Sequence, residues 1–263
     1  MTHGRPLAVI FDVDGTLVDS ERDGHRVAFN KAFESAGLVD RWDVSTYGGL
    51  LEITGGERRL RHYLLQPRSS LPNPTSATEA GALAAALHRS KTSYFTDMVR
   101  AAAIPARPGV VRLLDELHGE GVPVGIATTA TAAWVRPLLD RLFGEDRFAI
   151  VVTGEDVISG KPQPDAYLLA LRELGMPAAD VVAVEDSGPG LRAARGAGLA
   201  CVVVANPYTS LHEVSDADVL LNGFGEPGAP AAVLSDPHGA VSDGMVDVAS
   251  LSRLQAASVT DLR

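Results

Sequence analysis

The chain has 263 residues, of which 46% are hydrophobic and 21% charged, enough apolar material for one large or two modest globular domains. Its net charge is −10 and it has no run of Lys or Arg, so we expect no nucleic-acid partner. A secretory signal and an apolar stretch of about 18 residues are both lacking, and the single cysteine, Cys201, can form no internal disulfide. These features predict a cytoplasmic protein without a membrane partner, as a monomer or a small homo-oligomer.

The first predicted element is a buried strand that ends in two acidic residues. Residues 7–11 form an apolar run typical of a parallel strand, and Asp12 and Asp14 follow directly. Open α/β sheets bind their ligands at this end of the strands. Because like charges held close together repel, the pair indicates a hard divalent cation with oxygen ligands. Taken alone, the segment is also compatible with a simple turn, since Asp14-Gly15 is a common turn pair.

A block of helical patterns follows the first strand. Ser20 and Glu21 are typical of a helix start, and apolar residues continue at helical spacing to Gly37. Further helical patterns cover residues 45–51, 57–65 and 78–100, and a stretch rich in Pro and Ser over residues 66–75 predicts a loop. Since no convincing strand occurs in this block, we expect residues 19–103 to form an all-helical inserted domain, or cap.

Strands and helices alternate from residue 105 onwards. Apolar runs predict strands over residues 122–128, 148–152, 181–185 and 199–204, with a short edge strand over residues 217–221. Such alternation implies right-handed βαβ units and a parallel sheet. The predicted fold class is therefore α/β, with a Rossmann-like core formed by residues 1–18 and 104–222.

The C-terminal extension, residues 223–263, has a different composition. Gly and Pro are dense up to residue 242, and at that density neither a helix nor a strand is expected. We therefore predict a long loop, one weak element over residues 246–254, and mobile last residues.

Polar residues follow three further predicted elements. Thr128 and Thr129 end the second strand, Lys161 stands in a loop before Pro162, and Glu185 and Asp186 end the fourth strand. A hydroxyl and an ammonium can hold phosphate oxygens, and two more carboxylates can complete an oxygen cage for Mg²⁺. Each of these residues also has a purely structural interpretation. Thr128 could cap a helix, Lys161 could be a solvated charge in a loop, and Glu185 with Asp186 could cap the helix that follows.

Together these residues resemble the four motifs of the haloacid dehalogenase superfamily, whose first motif is D-x-D-G-T, here Asp12 to Thr16. The resemblance implies that Asp12 attacks phosphorus as a nucleophile and that Asp14 is the general acid and base. It implies that Thr128 and Lys161 hold the phosphate. It also implies a Mg²⁺ site formed by Asp12, Asp14, Glu185 and Asp186.

The helical insertion is similar to that of the CbbY-like branch, which is related to β-phosphoglucomutase. The segments that carry this similarity are 21–30, 42–43, 47–51 and 53–56. It implies substrate contacts from Glu21, His25, Tyr47, Gly55, Gly56, Arg59 and Thr129. For His25 alone, a histidine on an exposed helix surface is the alternative. Glu57 departs from the usual Lys of this branch, and Ala130 stands where a phosphate-binding hydroxyl is common.

The resemblance implies a Mg²⁺-dependent phosphatase that hydrolyses a small phosphorylated sugar through an aspartyl-phosphate. Xylulose-1,5-bisphosphate, the best-known substrate of the branch, is one candidate, although Glu57 reverses a local charge. A phosphosugar mutase of the β-phosphoglucomutase type is the alternative, and Thr16 favours the phosphatase over it. A third hypothesis is a non-catalytic sensor of phosphorylated ligands, because fold alone does not fix function.

Overall fold

The computed structural model describes residues 7–53, 55–66, 76–209 and 213–260. The chain divides into two compact units. One, which we call the helical unit, is Ser20–Ile104, and the other, the sheet unit, comprises Met1–Asp19 and Pro105–Arg263. Within the described ranges, no helix has both the length and the apolar character needed to cross a membrane.

The helical unit starts with a π-helical segment, Ser20–His25, which leads into the first of its α-helices. These are α1 (Arg26–Ser35), α2 (Val44–Leu50), α3 (Gly56–Leu65) and α4 (Ala77–Arg100). Buried aromatic rings form its core, and the Trp42 ring lies 4.8 Å from that of Phe29 and 5.0 Å from that of Phe33. The loop predicted over residues 66–75 lies almost wholly outside the described residues.

The described part of the sheet unit has one seven-stranded sheet and five α-helices. The strands are β1 (Ala8–Phe11), β2 (Val124–Ala127), β3 (Ile150–Val152), β4 (Val181–Glu185), β5 (Ala200–Val204), β6 (Val219–Leu221) and β7 (Val233–Ser235). Its helices are α5 (Val110–Gly119), α6 (Ala132–Phe143), α7 (Asp165–Leu174), α8 (Gly188–Gly196) and α9 (Val248–Thr260). The strand order is β3-β2-β1-β4-β5-β6-β7, and every neighbouring pair is parallel except β6–β7. The predicted α/β class with a parallel sheet is therefore confirmed.

Strand β1 lies at the centre of the sheet, and all four of its residues are buried. Phe11, its last residue, is in register with Ile126 of β2 and Val184 of β4. The three strands therefore end at nearly the same level. Because parallel strands present their carboxyl ends at one edge of the sheet, the residues that follow them come together there.

The structure after residue 222 differs from the prediction in two places, one inside the predicted loop and one in the element after it. Strand β7 extends the sheet, with Val233 opposite Leu221. A short edge strand can therefore form within a segment that is rich in Gly and Pro. Helix α9 is longer than the weak element expected there. Its start is stabilised because the Ser250 amide donates to Asp247 Oδ1 (2.6 Å) and the Asp247 amide donates to Ser250 Oγ (2.9 Å). Its apolar side packs on β4 and β5. Burial against these distant strands stabilises the helix, although the local sequence predicts only a weak element.

Candidate active site

The loop after β1 is a tight turn that fixes the two leading carboxylates. The Asp12 amide donates to the Val184 carbonyl (3.0 Å), which extends the β1–β4 pairing by one residue. The Val13 carbonyl then accepts from three successive amides, those of residues 16–18, at 3.0–3.3 Å. Gly15 adopts φ +90°, a conformation that residues with a side chain rarely adopt. Asp12 is therefore held at the end of the central strand.

Lys161 joins the ends of β1 and β4. Its Nζ lies 2.6 Å from Asp12 Oδ1 and 2.5 Å from Glu185 Oε1, and its side chain is only 6% exposed. The Tyr167 hydroxyl of α7 donates to the same oxygen of Glu185 at 2.7 Å. The interpretation of Lys161 as a solvated loop charge is therefore wrong, because the ammonium is a buried partner of two carboxylates.

Glu185 and Asp186 do not cap the helix that follows them. Ser187 has that role, since its Oγ accepts from the Gly190 amide (3.1 Å). The Glu185 side chain lies directly over Gly190, where an added Cβ would come within 2.3 Å of all three carboxyl atoms. Gly190 thus leaves the space in which a buried carboxylate can turn back toward the site.

Three carboxylates, those of Asp12, Glu185 and Asp186, form what we call the carboxylate cluster. They each offer an oxygen within 4.8 Å of the others, and all three residues are buried. Burial is the largest influence on the pKa of Asp12; with repulsion from Glu185 it outweighs attraction by Lys161 and raises the value to about 7. Burial, followed by repulsion from Asp12 and Glu185, likewise raises the pKa of Asp186 well above its usual range.

This donor set fits a metal cation. One buried ammonium, Lys161, faces more negative charge than it can neutralise, and oxygen donors of this type are the ligands that hard divalent cations take. Burial lowers the pKa of Lys161, but Asp12 and Glu185 outweigh it and hold the value above the usual one, so Lys161 stays charged. Asp14, also expected at the metal, lies two residues beyond Asp12 in the same turn.

The raised pKa of Asp12 predicts how the stability of the metal-free protein depends on pH. Because the folded state holds a proton up to about pH 7 that the unfolded state releases near pH 3.8, the free energy of unfolding should fall across that interval. We expect Asp12→Asn to give a flatter profile in urea unfolding with a chelator present, from about pH 5 to about pH 8. Equal slopes for the two proteins would contradict a raised pKa at Asp12.

The loop after β2 is fastened to the loop after β3. The Thr128 amide donates to the Val152 carbonyl (3.0 Å), and the Gly154 amide donates to the Ala130 carbonyl (2.9 Å). Thr128 is buried, and its Oγ1 accepts from the Ala130 amide at 3.1 Å. Since that contact uses Oγ1 as an acceptor, the hydroxyl proton can be donated to an anion. Thr129, by contrast, is exposed.

In the helical unit, Glu21, Tyr47 and Arg59 form a chain of hydrogen bonds. The Tyr47 hydroxyl donates to Glu21 Oε2, and Arg59 Nη1 donates to that hydroxyl oxygen at 3.0 Å. Arg59 Nε donates to the Leu50 carbonyl (2.9 Å), and the residue is 7% exposed. The Arg59 guanidinium therefore makes its hydrogen bonds inside the helical unit, where it fixes the position of the Tyr47 hydroxyl.

His25 is packed within the helical unit rather than placed on an exposed surface. Its ring lies 3.9 Å from that of Phe95, and its Nδ1 is 2.9 Å from Nζ of Lys91. Burial, then the nearby charges of Lys91 and Arg59, hold the pKa of His25 well below its usual value, so the ring is neutral.

The two glycines named by the resemblance differ in their surroundings. Gly55 has φ +93° and little around it, whereas a Cβ on Gly56 would come within 2.9 Å of the His88 ring. Glu57, the departure from the usual Lys, is exposed in the first turn of α3.

Besides Tyr167, two polar residues near the carboxylate cluster were not predicted from the sequence. Asn206, after β5, donates through Nδ2 to Asp186 Oδ2 at 2.7 Å. Arg107 donates to the carbonyls of Gly15, Val204 (2.9 Å) and Ala205 (3.0 Å), which ties the turn after β1 to the end of β5. Neither belongs to a recognisable motif, so only the folded structure brings them to the site.

Similarity to known proteins assigns the chain to a family. The family model described as haloacid dehalogenase-like hydrolase matches residues 6–198. The chain belongs to this family. Within it, the chain is similar to plasmid-encoded protein CbbY of Cupriavidus necator, with 40% identity over 226 residues, or 85% of this chain and 87% of that protein.

Other CbbY proteins are similar over most of their length. That of Cereibacter sphaeroides is 39% identical over 229 residues, which cover 86% of this chain and 96% of the relative. A crystal structure of a CbbY variant from Rhodobacter sphaeroides, in complex with xylulose-1,5-bisphosphate, matches with a TM-score of 0.63 and 39% identity. That match covers 84% of this chain and 96% of the other. The resemblance drawn from the motifs is therefore confirmed.

Proposed function

We propose that this haloacid dehalogenase-like hydrolase is a Mg²⁺-dependent phosphatase that acts on a small phosphorylated sugar. The observation that carries the proposal is the buried arrangement of Asp12 and Glu185 around Lys161, beside a third carboxylate at the carboxyl edge of the sheet. Such a site offers one fixed ammonium and carboxylates that would hold a divalent cation, and an anionic substrate requires this local positive charge in a protein whose net charge is −10.

In the proposed first step, a carboxylate oxygen of Asp12 attacks phosphorus and the bond from phosphorus to the sugar oxygen breaks. Lys161 engages Oδ1 of Asp12, so Oδ2 is the oxygen that we expect to attack. Asp14 gives a proton to the departing sugar oxygen, which leaves as a free hydroxyl. The product on the protein is an aspartyl-phosphate at Asp12.

In the proposed second step, water attacks the phosphorus and the bond to Asp12 breaks, which releases inorganic phosphate. Asp14, now ionised, takes a proton from the attacking water and returns to its starting state. Thr128 donates its hydroxyl proton and Lys161 its ammonium protons to the phosphoryl oxygens in both steps. Asp12, Asp14, Glu185 and Asp186 would hold Mg²⁺, which when bound would supply positive charge to offset the charge of the phosphoryl group.

The substrate class is proposed from the relatives. The Rhodobacter sphaeroides CbbY variant binds xylulose-1,5-bisphosphate, so a phosphorylated sugar of this type is the first candidate here. For the sugar, we propose contacts from Glu21, His25, Tyr47, Gly55, Gly56 and Thr129. Arg59 acts in this proposal through Tyr47, because its guanidinium is already bound to the Tyr47 hydroxyl and to a backbone carbonyl.

The test is release of inorganic phosphate from a panel of sugar phosphates with Mg²⁺, for the wild type and for Asp12→Asn. The panel contains xylulose-1,5-bisphosphate, ribulose-1,5-bisphosphate and hexose monophosphates. We expect turnover by the wild type and a loss of at least about a thousandfold in the variant, because an amide is a far weaker nucleophile than a carboxylate.

Four outcomes of this panel separate the hypotheses. A preference for the xylulose compound would extend the similarity with CbbY to the substrate despite Glu57, whereas a preference for monophosphates would assign a different sugar. An unchanged rate in folded Asp12→Asn would contradict the mechanism. Isomer formation without net phosphate release, dependent on a bisphosphate primer, would select the mutase alternative.

A further inference from the structure

Asn206 stands directly behind the carboxylate cluster. It follows β5 and is 8% exposed. Its Nδ2 donates to Asp186 Oδ2 at 2.7 Å and lies 3.4 Å from the Gly15 carbonyl oxygen. The amide group therefore touches both the end of β4 and the turn after β1, which are the two segments that carry the acidic residues of the site.

The orientation of this side chain is determined by its other contacts. Asn206 Oδ1 accepts from the amides of Tyr208 (2.9 Å) and Thr209 (3.1 Å). Backbone amides can only donate, so the oxygen of the side chain must face them and the NH₂ group must face Asp186. The backbone turn after Asn206 thus fixes the side-chain NH₂ group, whose two protons face the carboxylate cluster.

Asp186 is confined on the side of this contact. A Cβ added to Gly15 would come within 2.2 Å of Asp186 Oδ2 and 2.8 Å of Asn206 Nδ2, so these groups fill the space beside the turn. A hydrogen bond from an amide to a buried carboxylate is charge-assisted and short, and it favours one orientation of the carboxyl plane. Oδ2 is thereby engaged by protein, while Oδ1 lies outside the Asn206 contact.

We propose that Asn206 is a positioning residue that makes Asp186 a one-oxygen ligand, so that the carboxylate cluster favours Mg²⁺ over Ca²⁺. This inference rests on the proposed Mg²⁺-dependent function. Mg²⁺ demands a compact six-coordinate shell, whereas Ca²⁺ takes six to eight oxygens and readily accepts both oxygens of one carboxylate. A carboxylate with one oxygen fixed by a buried donor suits the smaller ion.

The test measures binding of Mg²⁺ and of Ca²⁺ to the metal-free full chain by titration calorimetry, without substrate. We expect Asn206→Ala to shift the ratio of the two dissociation constants toward Ca²⁺ by about five- to tenfold, which is less than the full contribution of one charge-assisted hydrogen bond because binding of both ions loses part of it. Asn222→Ala is the matched control. The Asn222 side-chain oxygen accepts from the exposed backbone amide of Ala232, between β6 and β7. The ratio of the two dissociation constants should therefore equal that of the wild type.

A second variant guards against loss of the turn. Asn206→Asp keeps an oxygen for the amides of Tyr208 and Thr209 but removes the donor to Asp186, so the ratio should again move toward Ca²⁺. If Asn206 is merely structural, both ions will bind more weakly and the ratio will stay within about twofold of the wild type, which would overturn the proposal. A wild type that prefers Ca²⁺ would overturn it as well. Absence of phosphate release from the panel above would instead bear on the proposed function, because calorimetry uses no phosphorylated compound.

Discussion

Replacing Lys161 by methionine is expected to abolish turnover and to destabilise the fold by about 3 to 5 kcal/mol near neutral pH. Methionine preserves much of the side-chain volume but removes the only ammonium that the described structure places between Asp12 and Glu185. The two carboxylates would then be buried without their cation. The rate of phosphate release should fall by at least about a thousandfold, since the phosphoryl group also loses a charged donor.

The pH dependence of this loss identifies its origin. Without the attraction of Lys161, the Asp12 carboxyl should stay protonated in the folded state to a higher pH than it does in the wild type, so the penalty must grow as pH rises. Urea unfolding of wild type and variant at about pH 5 and about pH 8, with a chelator present, checks this. Lys31→Met is the matched control, because Lys31 is exposed on α1 and should change stability by less than about 0.5 kcal/mol. A penalty equal at both pH values would refute the electrostatic explanation.

Gly15→Ala should be the second severe substitution. An alanine there must adopt φ near +90° and place its Cβ within 2.2 Å of Asp186 Oδ2, so the turn after β1 or the Asp186 carboxylate has to move. We expect a loss of several kcal/mol in the free energy of unfolding, together with loss of metal binding and of activity.

Gly144→Ala separates the two causes. Gly144 has φ +92°, almost the value at Gly15, yet nothing lies within 4 Å of the position of its Cβ. This control should therefore show only the backbone strain, on the order of 1 to 3 kcal/mol, and should leave metal binding unchanged. If the two alanine variants have the same stability and bind metal equally well, the close approach of Gly15 to Asp186 has no energetic consequence.

The core of the fold and the centre of the site were predictable because their signals are local in sequence. Apolar runs predicted β1 and β4, and parallel pairing is what brings the acidic residues after them to one edge. Lys161 was named from its motif, but its burial was not, because the carboxylates that enclose it are remote from it along the chain.

Long-range contacts explain the features that sequence patterns did not predict. Asn206 and Arg107 matter only through the atoms they reach across the fold, and no periodicity or motif records such partners. Arg59 was predicted from its motif, but its hydrogen bond to Tyr47, which lies on a different helix, could not be predicted in the same way. The length of helix α9 was not predicted for a related reason, since its apolar face is stabilised by β4 and β5, which are distant from it in the sequence.

The central position of β1 in the sheet has a consequence for folding during synthesis on the ribosome. Among the described strands, β1 is synthesised first, but its partners β2 and β4 are made only after the whole helical unit. Helical units rich in local contacts fold quickly, whereas parallel pairing across a long insertion is slow. Strand β1, whose four residues are all apolar, therefore lacks its neighbouring strands while the helical unit is synthesised, with both edges open to other chains. Truncated or stalled chains that end before residue 181 should accordingly be the species most prone to aggregate and most dependent on chaperones.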